Sequence, residues 1–459
     1  MPKFPPILHP ALFVALTFLG LVSAHADEWL LDYDVTEELR IESTDADTPS
    51  ETTTHSFRQF VALAPDHLVV KDDRQHLIRD FTRRRYHLIN PATATYDTFS
   101  LFAFVDFIEA ELANRNALGA GMRAAAVDAM ATQFSRFDNE TNLRLESLPH
   151  PQNPGEPVIE ETAVESALEF RHDGNLVARF TPSNTSLPPH LQPRLASYLA
   201  YTCSLHPKIR RRILASGQIP QELRFTSRTT NRLTTTTLRL RAAAPSPTDT
   251  PLLPPNVTLA HHPDDPVLQL LAYIHRAEQT TPPASREETL AFVRSALDAN
   301  RPLDALLALI EHQLQTGESI GEELRRHRKR FDSDPACRTY RGAFDQSSRE
   351  ACEASLAANA TLDRSGLTRA HMLELQRANH LARLGRAAEA RESFLLVLRA
   401  NPFHTGALHD LGALLARSWD HPKAWLCWDT ARRLYPRHPM LKSIAEREQQ
   451  LLSRYPEFF

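Results

Sequence analysis

Two stretches of sequence decide the fold at the C-terminal end: residues 378–402, ANHLARLGRAAEARESFLLVLRANP, and residues 412–436, GALLARSWDHPKAWLCWDTARRLYP. Small, apolar and proline positions recur between them at one constant interval, which we call the repeat period. The matched pairs are Ala378 with Gly412, Leu381 with Leu415, Ala390 with Ala424, Phe394 with Trp428, and Pro402 with Pro436. Each stretch predicts two packed helices, because small residues let helices approach and an aromatic residue fills the next groove.

The repeat period matches the roughly 34-residue spacing of the tetratricopeptide (TPR) repeat family, and the alanine-x3-aromatic-proline pattern also resembles that family. The resemblance implies an all-α repeat domain at 366–459, closed by a capping helix at 441–452, that binds a protein or peptide partner. The face of the first helices left uncovered places five side chains on the concave surface: Asn379, Arg383, His409, Asp410 and Arg417. The alternative is a solvated groove with no dedicated ligand.

Helical periodicity continues upstream, in 266–277, 288–297 and 303–314. Because stacked repeats need about three units to bury a continuous core, residues 259–365 are expected to complete the stack. Ala305 resembles a repeat alanine, but the interval from Ala305 to Ala390 is not a multiple of the repeat period. Residues 259–365 therefore predict irregular helical hairpins rather than aligned repeats.

Residues 27–242 predict a domain of strands and helices. Alternating or β-prone segments predict strands around 29–35, 57–63, 67–70, 76–81, 86–89, 169–180 and 223–240. Apolar segments at 101–112, 124–134 and 191–203 predict helices between them. A proline-rich connector at 243–258 separates this domain from the helical part.

The succession at 67–99 resembles LolA-like periplasmic carrier proteins and their uncharacterised relatives. The matching positions are Lys71, Arg74, Ile78, Asp80, Asn90, Pro91 and Tyr96. The resemblance implies an N-terminal curved antiparallel sheet with helical insertions, and an apolar ligand cupped by that sheet. The predicted fold class for the whole chain is therefore α+β, a sheet domain followed by an all-α TPR-like domain.

Residues 1–26 predict a secretory signal peptide. Lys3 precedes the apolar run from Ala11 to Ala24, and Ala24-His25-Ala26 is a small-x-small cleavage site. The run is shorter than the roughly 20 residues that span a bilayer, so no transmembrane segment is expected after cleavage. The expected location is periplasmic or secreted.

Composition argues against nucleic acid as a partner, since 52 basic and 56 acidic residues give a net charge of −4. Four dispersed cysteines exclude a disulfide framework. In an oxidising compartment, Cys337 and Cys352 would either close a disulfide or remain buried free thiols.

No motif for a nucleophile, a phosphate loop or a zinc protease occurs in the chain. We therefore expect no catalytic residue, metal or cofactor. The segment 261–265, HHPDD, has metal-ligand residue types, but a proline and adjacent ligands favour a solvated loop. The basic run 325–330 would suit an anionic partner, although flanking acids neutralise it. His404, His421 and His438, at the predicted turns, are expected to be capping or surface groups.

These observations favour an exported, non-enzymatic binding or scaffold protein that engages a partner through its helical repeats. One alternative is an exported hydrolase or cell-wall enzyme in which the repeats are accessory. Another is a carrier for lipid or lipoprotein, which would require an apolar cavity enclosed by the sheet.

Overall fold

The protein has a mixed α+β fold, as its sequence predicts. The computed structural model describes residues 28–41, 51–125, 159–172, 174–229, 232–246, 252–280 and 283–459. Within these ranges the chain forms a twelve-stranded sheet and fifteen α-helices. The predicted signal peptide and most of the predicted helix 124–134 lie outside the described residues.

The sheet is antiparallel apart from one short edge pair, and its order is β12-β6-β5-β4-β3-β2-β1-β11-β10-β9-β8-β7. The strands are β1 Trp29–Ile41, β2 Glu51–Leu63, β3 His67–Lys71, β4 His76–Asp80, β5 Arg85–Asn90, β6 Thr95–Ser100, β7 Glu160–Val164, β8 Ala167–His172, β9 Asn175–Ser186, β10 Gln218–Thr229, β11 Arg232–Pro245 and β12 Thr258–Leu259. Six of the seven predicted strand segments each overlap one or two of these strands. The seventh, 223–240, covers β10 and β11, which pair as a hairpin.

Strand β1, at the centre of the sheet, shows why one face is buried. Leu31, Tyr33 and Val35 alternate with polar residues and are almost completely buried, because successive side chains of a strand point to opposite faces. On the other face, Asp32 pairs with Arg58 of the neighbouring β2 at 2.5 Å. The sheet therefore has one apolar and one charged face in this region.

The helices are α1 Leu101–Ala124, α2 Gln192–Tyr201, α3 Pro207–Leu214, α4 Pro266–Thr280, α5 Arg286–Asp298, α6 Pro302–Thr316, α7 Gly321–Arg326, α8 Arg328–Ser333, α9 Pro335–Gly342, α10 Arg349–Ala360, α11 His371–Arg383, α12 Ala387–Ala400, α13 Thr405–Arg417, α14 His421–Leu434 and α15 Lys442–Arg454. Their ends follow local sequence. Ser285 and Glu288 form a reciprocal capping box at the start of α5, and Gly317 ends α6 with a φ of 80°.

Helices α11 to α14 repeat their bounds. Helix α13 begins and ends one repeat period after α11, and α14 begins and ends one repeat period after α12. Helix α11 packs against α12, and α13 packs against α14. A Cβ atom on Gly412 would lie 2.4 Å from Nε1 of Trp428, so the crossing of α13 and α14 requires glycine.

The connector predicted at 243–258 is partly built into the sheet. Strand β11 continues to Pro245, and β12 pairs in parallel with β6. Ladder hydrogen bonds to neighbouring strands outweigh the local preference of a proline-rich segment for an irregular extended path. The two parts of the chain therefore share one sheet edge at β6.

All four cysteines, Cys203, Cys337, Cys352 and Cys427, are buried free thiols. Cys337 and Cys352, for which the sequence left open a disulfide or buried free thiols, are free thiols in this structure. None of the helices in the described ranges is both long and apolar enough to cross a membrane.

Candidate functional site

The five residues predicted for partner binding lie on the first helix of each hairpin, as their positions require. Asn379 and Arg383 belong to α11, and His409, Asp410 and Arg417 belong to α13. Both arginines are exposed, whereas Asn379, His409 and Asp410 are half-buried. The two exposed arginines are the last residues of α11 and α13 and are one repeat period apart.

Direct contacts join only some of the five residues. His409 Nδ1 and Asp410 Oδ1 are 3.0 Å apart, and the carbonyl of His409 accepts a hydrogen bond from Trp428. Arg383 lines an open cleft of about 260 Å³ together with Ser348 and Arg349 at the start of α10. Across the described residues, neither Arg383 nor Arg417 forms an ion pair, so both guanidinium groups are available to an anionic partner.

Helix α6 lies across the turns that join successive helices of the C-terminal part. Asp304, near its start, accepts hydrogen bonds from the backbone N–H groups of Thr368 and Arg369. Glu311, seven residues further along α6, pairs with the guanidinium of the same Arg369 and accepts a hydrogen bond from Asn401, in the turn between α12 and α13. Helix α6 thus holds one hairpin beside the next.

Glu311 is the centre of a buried polar cluster. Its carboxylate lies 2.5 Å from Nε2 of His371, 2.7 Å from Nε of Arg369, and accepts a hydrogen bond of 2.7 Å from Asn401. Burial raises the pKa of Glu311, but the hydrogen bond from His371 and the nearby positive charges outweigh it and lower the pKa to about 2. The carboxylate is ionised and fully bonded.

A cavity of about 220 Å³ opens beside this cluster, between α5, α6 and the turn at 400–403. Gln315 spans its far side, because it accepts a hydrogen bond from Asn401 and donates one to the hydroxyl of Tyr435. Asn401 and Tyr435 are themselves one repeat period apart. Through these hydrogen bonds the cluster braces α6 against two successive turns.

The capping role expected for the turn histidines is confirmed for two of them, but they are not surface groups. His404 and His438, one repeat period apart, each accept a backbone N–H at the start of a helical segment through Nδ1, and both are buried. Burial lowers the pKa of His404 to about 4. The ring is therefore neutral near pH 7, which leaves Nδ1 free to accept the hydrogen bond.

The third turn histidine belongs to an interface between the sheet region and the helices. Asp106 of α1 lies 2.9 Å from Nδ1 of His421 and accepts hydrogen bonds from Trp425 at 3.0 Å and Arg447 at 2.8 Å. Burial raises the pKa of Asp106, but His421 and Arg447 lower it further than burial raises it. Glu109, one turn later, binds Arg447 and Arg454. This ionic cluster fixes α1 to α14 and α15.

The sequence contains no signal that singles out Asp106, Glu311 or Arg369. Their partners are more than 50 residues away, and a lone carboxylate in a helix is typical of a solvated face. One partial signal exists, because His404 and His438 recur at the repeat period. That recurrence points to a shared structural position at the turns.

The remaining candidate motifs have structural roles. Asp265 of the 261–265 segment accepts the first N–H groups of α4 and pairs with Lys423. In the described part of the chain, no group of three potential metal-ligating side chains occurs. Within the basic run, Arg326 pairs with Glu322 and Glu323, and Arg328 pairs with Asp332.

Comparisons with known proteins give little information. Neither a protein-family model nor a curated protein sequence matches the chain. One solved structure that it matches is described as "Lipid-protein interactions in lipovitellin", with 10% sequence identity over 94% of this chain and a TM-score of 0.19. The match covers 55% of the lipovitellin chain. A TM-score this low supports no conclusion about fold or function.

Proposed function

We propose that the protein is an exported, periplasmic or secreted binding or scaffold protein without enzymatic activity. In this proposal α11 to α15 form a TPR-like all-α repeat module that engages a protein or peptide partner. The observation that carries it is the matched pair of hairpins, which leaves Arg383 and Arg417 exposed and unpaired, within the described residues, at corresponding helix ends.

Packing inside the hairpins supports the repeat interpretation. Ala390 and Ala424, one repeat period apart, are completely buried, and Gly412 is required at its crossing by Trp428. A short helical turn begins at Pro439, one repeat period after the start of α13, and leads into α15. Helix α6 supplies the further packed surface that two hairpins and a cap need to bury a continuous core.

The charge of the exposed face indicates the chemistry of the partner. Arg383 lies in a cleft whose other arginine, Arg349, pairs with Glu353. Arg417 occupies the corresponding end of the next hairpin. Guanidinium groups bind carboxylates through paired hydrogen bonds, while the half-buried Asn379 can bind a peptide backbone. We therefore infer that the partner is a peptide segment that carries acidic residues.

Site-specific photo-crosslinking in cells tests this proposal. A photoreactive residue at Asn379 should capture a partner, and the double substitution Arg383→Glu with Arg417→Glu should abolish that crosslink. A matched control is Arg391→Glu with Arg399→Glu, two exposed arginines of α12, which should leave the crosslink intact. An equal loss of the crosslink in the control variant would contradict the assignment of binding to the α11 and α13 surface. So would a partner captured by a photoreactive residue at position 391 but not by one at position 379.

Export is tested separately. Residues 1–30 fused to a reporter should direct it to the periplasm and be cleaved after Ala26. A fusion retained in the membrane fraction would contradict the proposed location without affecting the partner-binding surface.

A further inference from the structure

Residues 455–459, the terminal segment YPEFF, leave the end of α15 and lie against α1, α2 and α3 of the sheet region. Tyr455 and Phe458 are almost completely buried, and Phe459 is half-buried. The segment therefore occupies a groove formed by helices that precede it by more than 240 residues.

The groove binds the main chain of the segment. Ser197 Oγ of α2 lies 3.0 Å from the carbonyl of Glu457 and shares its one hydroxyl hydrogen between that carbonyl and the carbonyl of Pro193 in its own helix. Tyr201 Oη donates a hydrogen bond of 2.7 Å to the carbonyl of Phe458. Hydroxyl donors aimed at successive carbonyl groups fix the register of a bound peptide whatever its side chains are.

Two further features select the side chains. Arg210 of α3, itself buried, donates a hydrogen bond of 2.9 Å to the carboxylate of Glu457. Phe458 contacts Tyr201 edge to face, with ring centroids 4.9 Å apart, and Phe459 lies 4.7 Å from Phe102. The groove thus recognises an acidic residue followed by two aromatic residues.

A second buried cation strengthens the preference for anionic ligands. The guanidinium of Arg79 on β4 stacks over the Tyr201 ring at 4.2 Å, and the residue is 8% exposed. Its Nη1 atom has no hydrogen-bond partner among the described residues. The positive charge of Arg79 favours the hydroxyl of Tyr201 as a hydrogen-bond donor. The segment in the groove forms no ion pair with Arg79 among the described residues.

We propose that α1, α2 and α3 form a peptide-binding groove for short acidic–aromatic–aromatic segments, filled in this structure by the chain's own Glu457-Phe458-Phe459. A peptide of this class added in trans replaces the segment when the intramolecular contact is weakened. This groove is separate from the α11 and α13 surface, so either proposal can fail without the other.

The test uses the full chain and a fluorescent YPEFF peptide. The intramolecular segment is present at high effective concentration, so the unaltered chain should bind the peptide weakly. The variant Glu457→Arg with Phe458→Ala empties the groove and should bind it at least tenfold more tightly, as measured by fluorescence anisotropy. A folded variant, checked by circular dichroism, that binds no better than the unaltered chain would overturn the proposal.

Exchanging the charges of Arg210 and Glu457 tests whether the groove selects an acidic residue. This experiment also tests the proposal if the emptied variant fails to fold. Arg210→Glu and Glu457→Arg should each increase hydrogen exchange at 455–459, and the two together should restore protection. In a chain emptied instead by Glu457→Ala with Phe458→Ala, which leaves no charge at position 457, Arg210→Glu should switch preference from YPEFF to a YPRFF peptide. A double variant no better protected than the single variants would show that Arg210 does not read the acidic residue, and the proposal would fail.

Discussion

The hairpin of α11 and α12 and the hairpin of α13 and α14 have the same helix lengths and lie one repeat period apart, yet they have different surroundings. Three positions account for much of the difference. Gly385, Ala387 and Arg391 of the first hairpin are exposed or half-buried. Their counterparts are Trp419, His421 and Trp425, and the last two are buried against α1.

We infer that the positions repeated in both hairpins define the hairpin itself, whereas the positions that differ define which other elements each hairpin contacts. Positions inside each hairpin keep their character, as with Ala390 and Ala424. On the face of the second hairpin that carries His421 and Trp425, aromatic and imidazole groups stand where the first hairpin has small and charged residues. These groups bind Asp106 and pack on Phe102 and Phe107. The second hairpin therefore docks on the sheet region, whereas the outer face of the first meets solvent at Arg391.

The largest expected difference in stability between the two hairpins follows from removing the carboxylate of Asp106. Asp106→Ala leaves the buried groups of His421 and Trp425 without their acceptor and leaves Arg447 with Glu109 as its remaining partner. We expect a loss of about 3–5 kcal/mol in the free energy of unfolding, measured with urea. Hydrogen exchange should rise in α14 and α15 more than in α12. The exposed Asp298→Ala is the control, within about 0.5 kcal/mol of the unaltered chain; an equal effect on α12 would contradict selective docking of the second hairpin.

Acid should act on the first hairpin through Glu311. The folded-state pKa is lowered from 4.5 to about 2, so ionised Glu311 stabilises the fold above about pH 4.5, and this contribution is lost as the pH falls toward 2. At about 1.4 kcal/mol per pKa unit the contribution is about 3 kcal/mol. Glu311→Gln should flatten the loss of unfolding free energy between pH 5 and 2 by that amount.

The control for Glu311 is Glu392→Gln, an exposed carboxylate on α12. It should leave the pH dependence of unfolding as it is in the unaltered chain. If Glu311→Gln gave the same pH profile as this control, the ionic brace between α6 and the first hairpin would not contribute to acid sensitivity.

The two hairpins also differ at the point where their helices cross, because the second hairpin has Gly412 where the first has Ala378. Gly412→Ala places a Cβ atom 2.4 Å from Trp428 Nε1, and we expect a net cost of about 1–3 kcal/mol despite the better helix propensity of alanine. Adding Trp428→Phe makes this crossing like that of Ala378 and Phe394 and should recover part of the loss. Thermal unfolding measures the stability of both variants. If the destabilisation by Gly412→Ala and that by Trp428→Phe simply added, the two residues would not be in contact.

The smallest effect is expected at the turn between helices. Trp419 has a φ of 66°, where its counterpart Gly385 has 77°. Trp419→Gly relieves about 1 kcal/mol of backbone strain but removes an edge-to-face contact with Phe107, worth about 0.5–1.5 kcal/mol. The net change should lie within about 1 kcal/mol, and Phe107→Ala should cost less in the glycine variant than in the unaltered chain.

Local patterns in the amino-acid sequence are sufficient to predict most of the individual helices and strands. The repeat period located both hairpins, because one helix face must be apolar at 3.6-residue spacing wherever helices pack. Alternating or β-prone segments located nine of the twelve strands, whereas β6, β7 and β12 were not predicted. The exposed Arg383 and Arg417 followed from the same periodicity, since positions on the uncovered face of a helix can be counted from those on its buried face.

The contacts between these elements become visible in the folded structure and not in the sequence. Asp106 meets His421 across 315 residues, and Ser197 meets Glu457 across 260. Such contacts leave no period in the sequence, because each needs only one suitable side chain at each end and many surface carboxylates and hydroxyls look the same. Burial then makes these contacts costly to break, because a polar or charged group that loses its partner where water is excluded has no replacement for it. The sequence does not state which positions become buried.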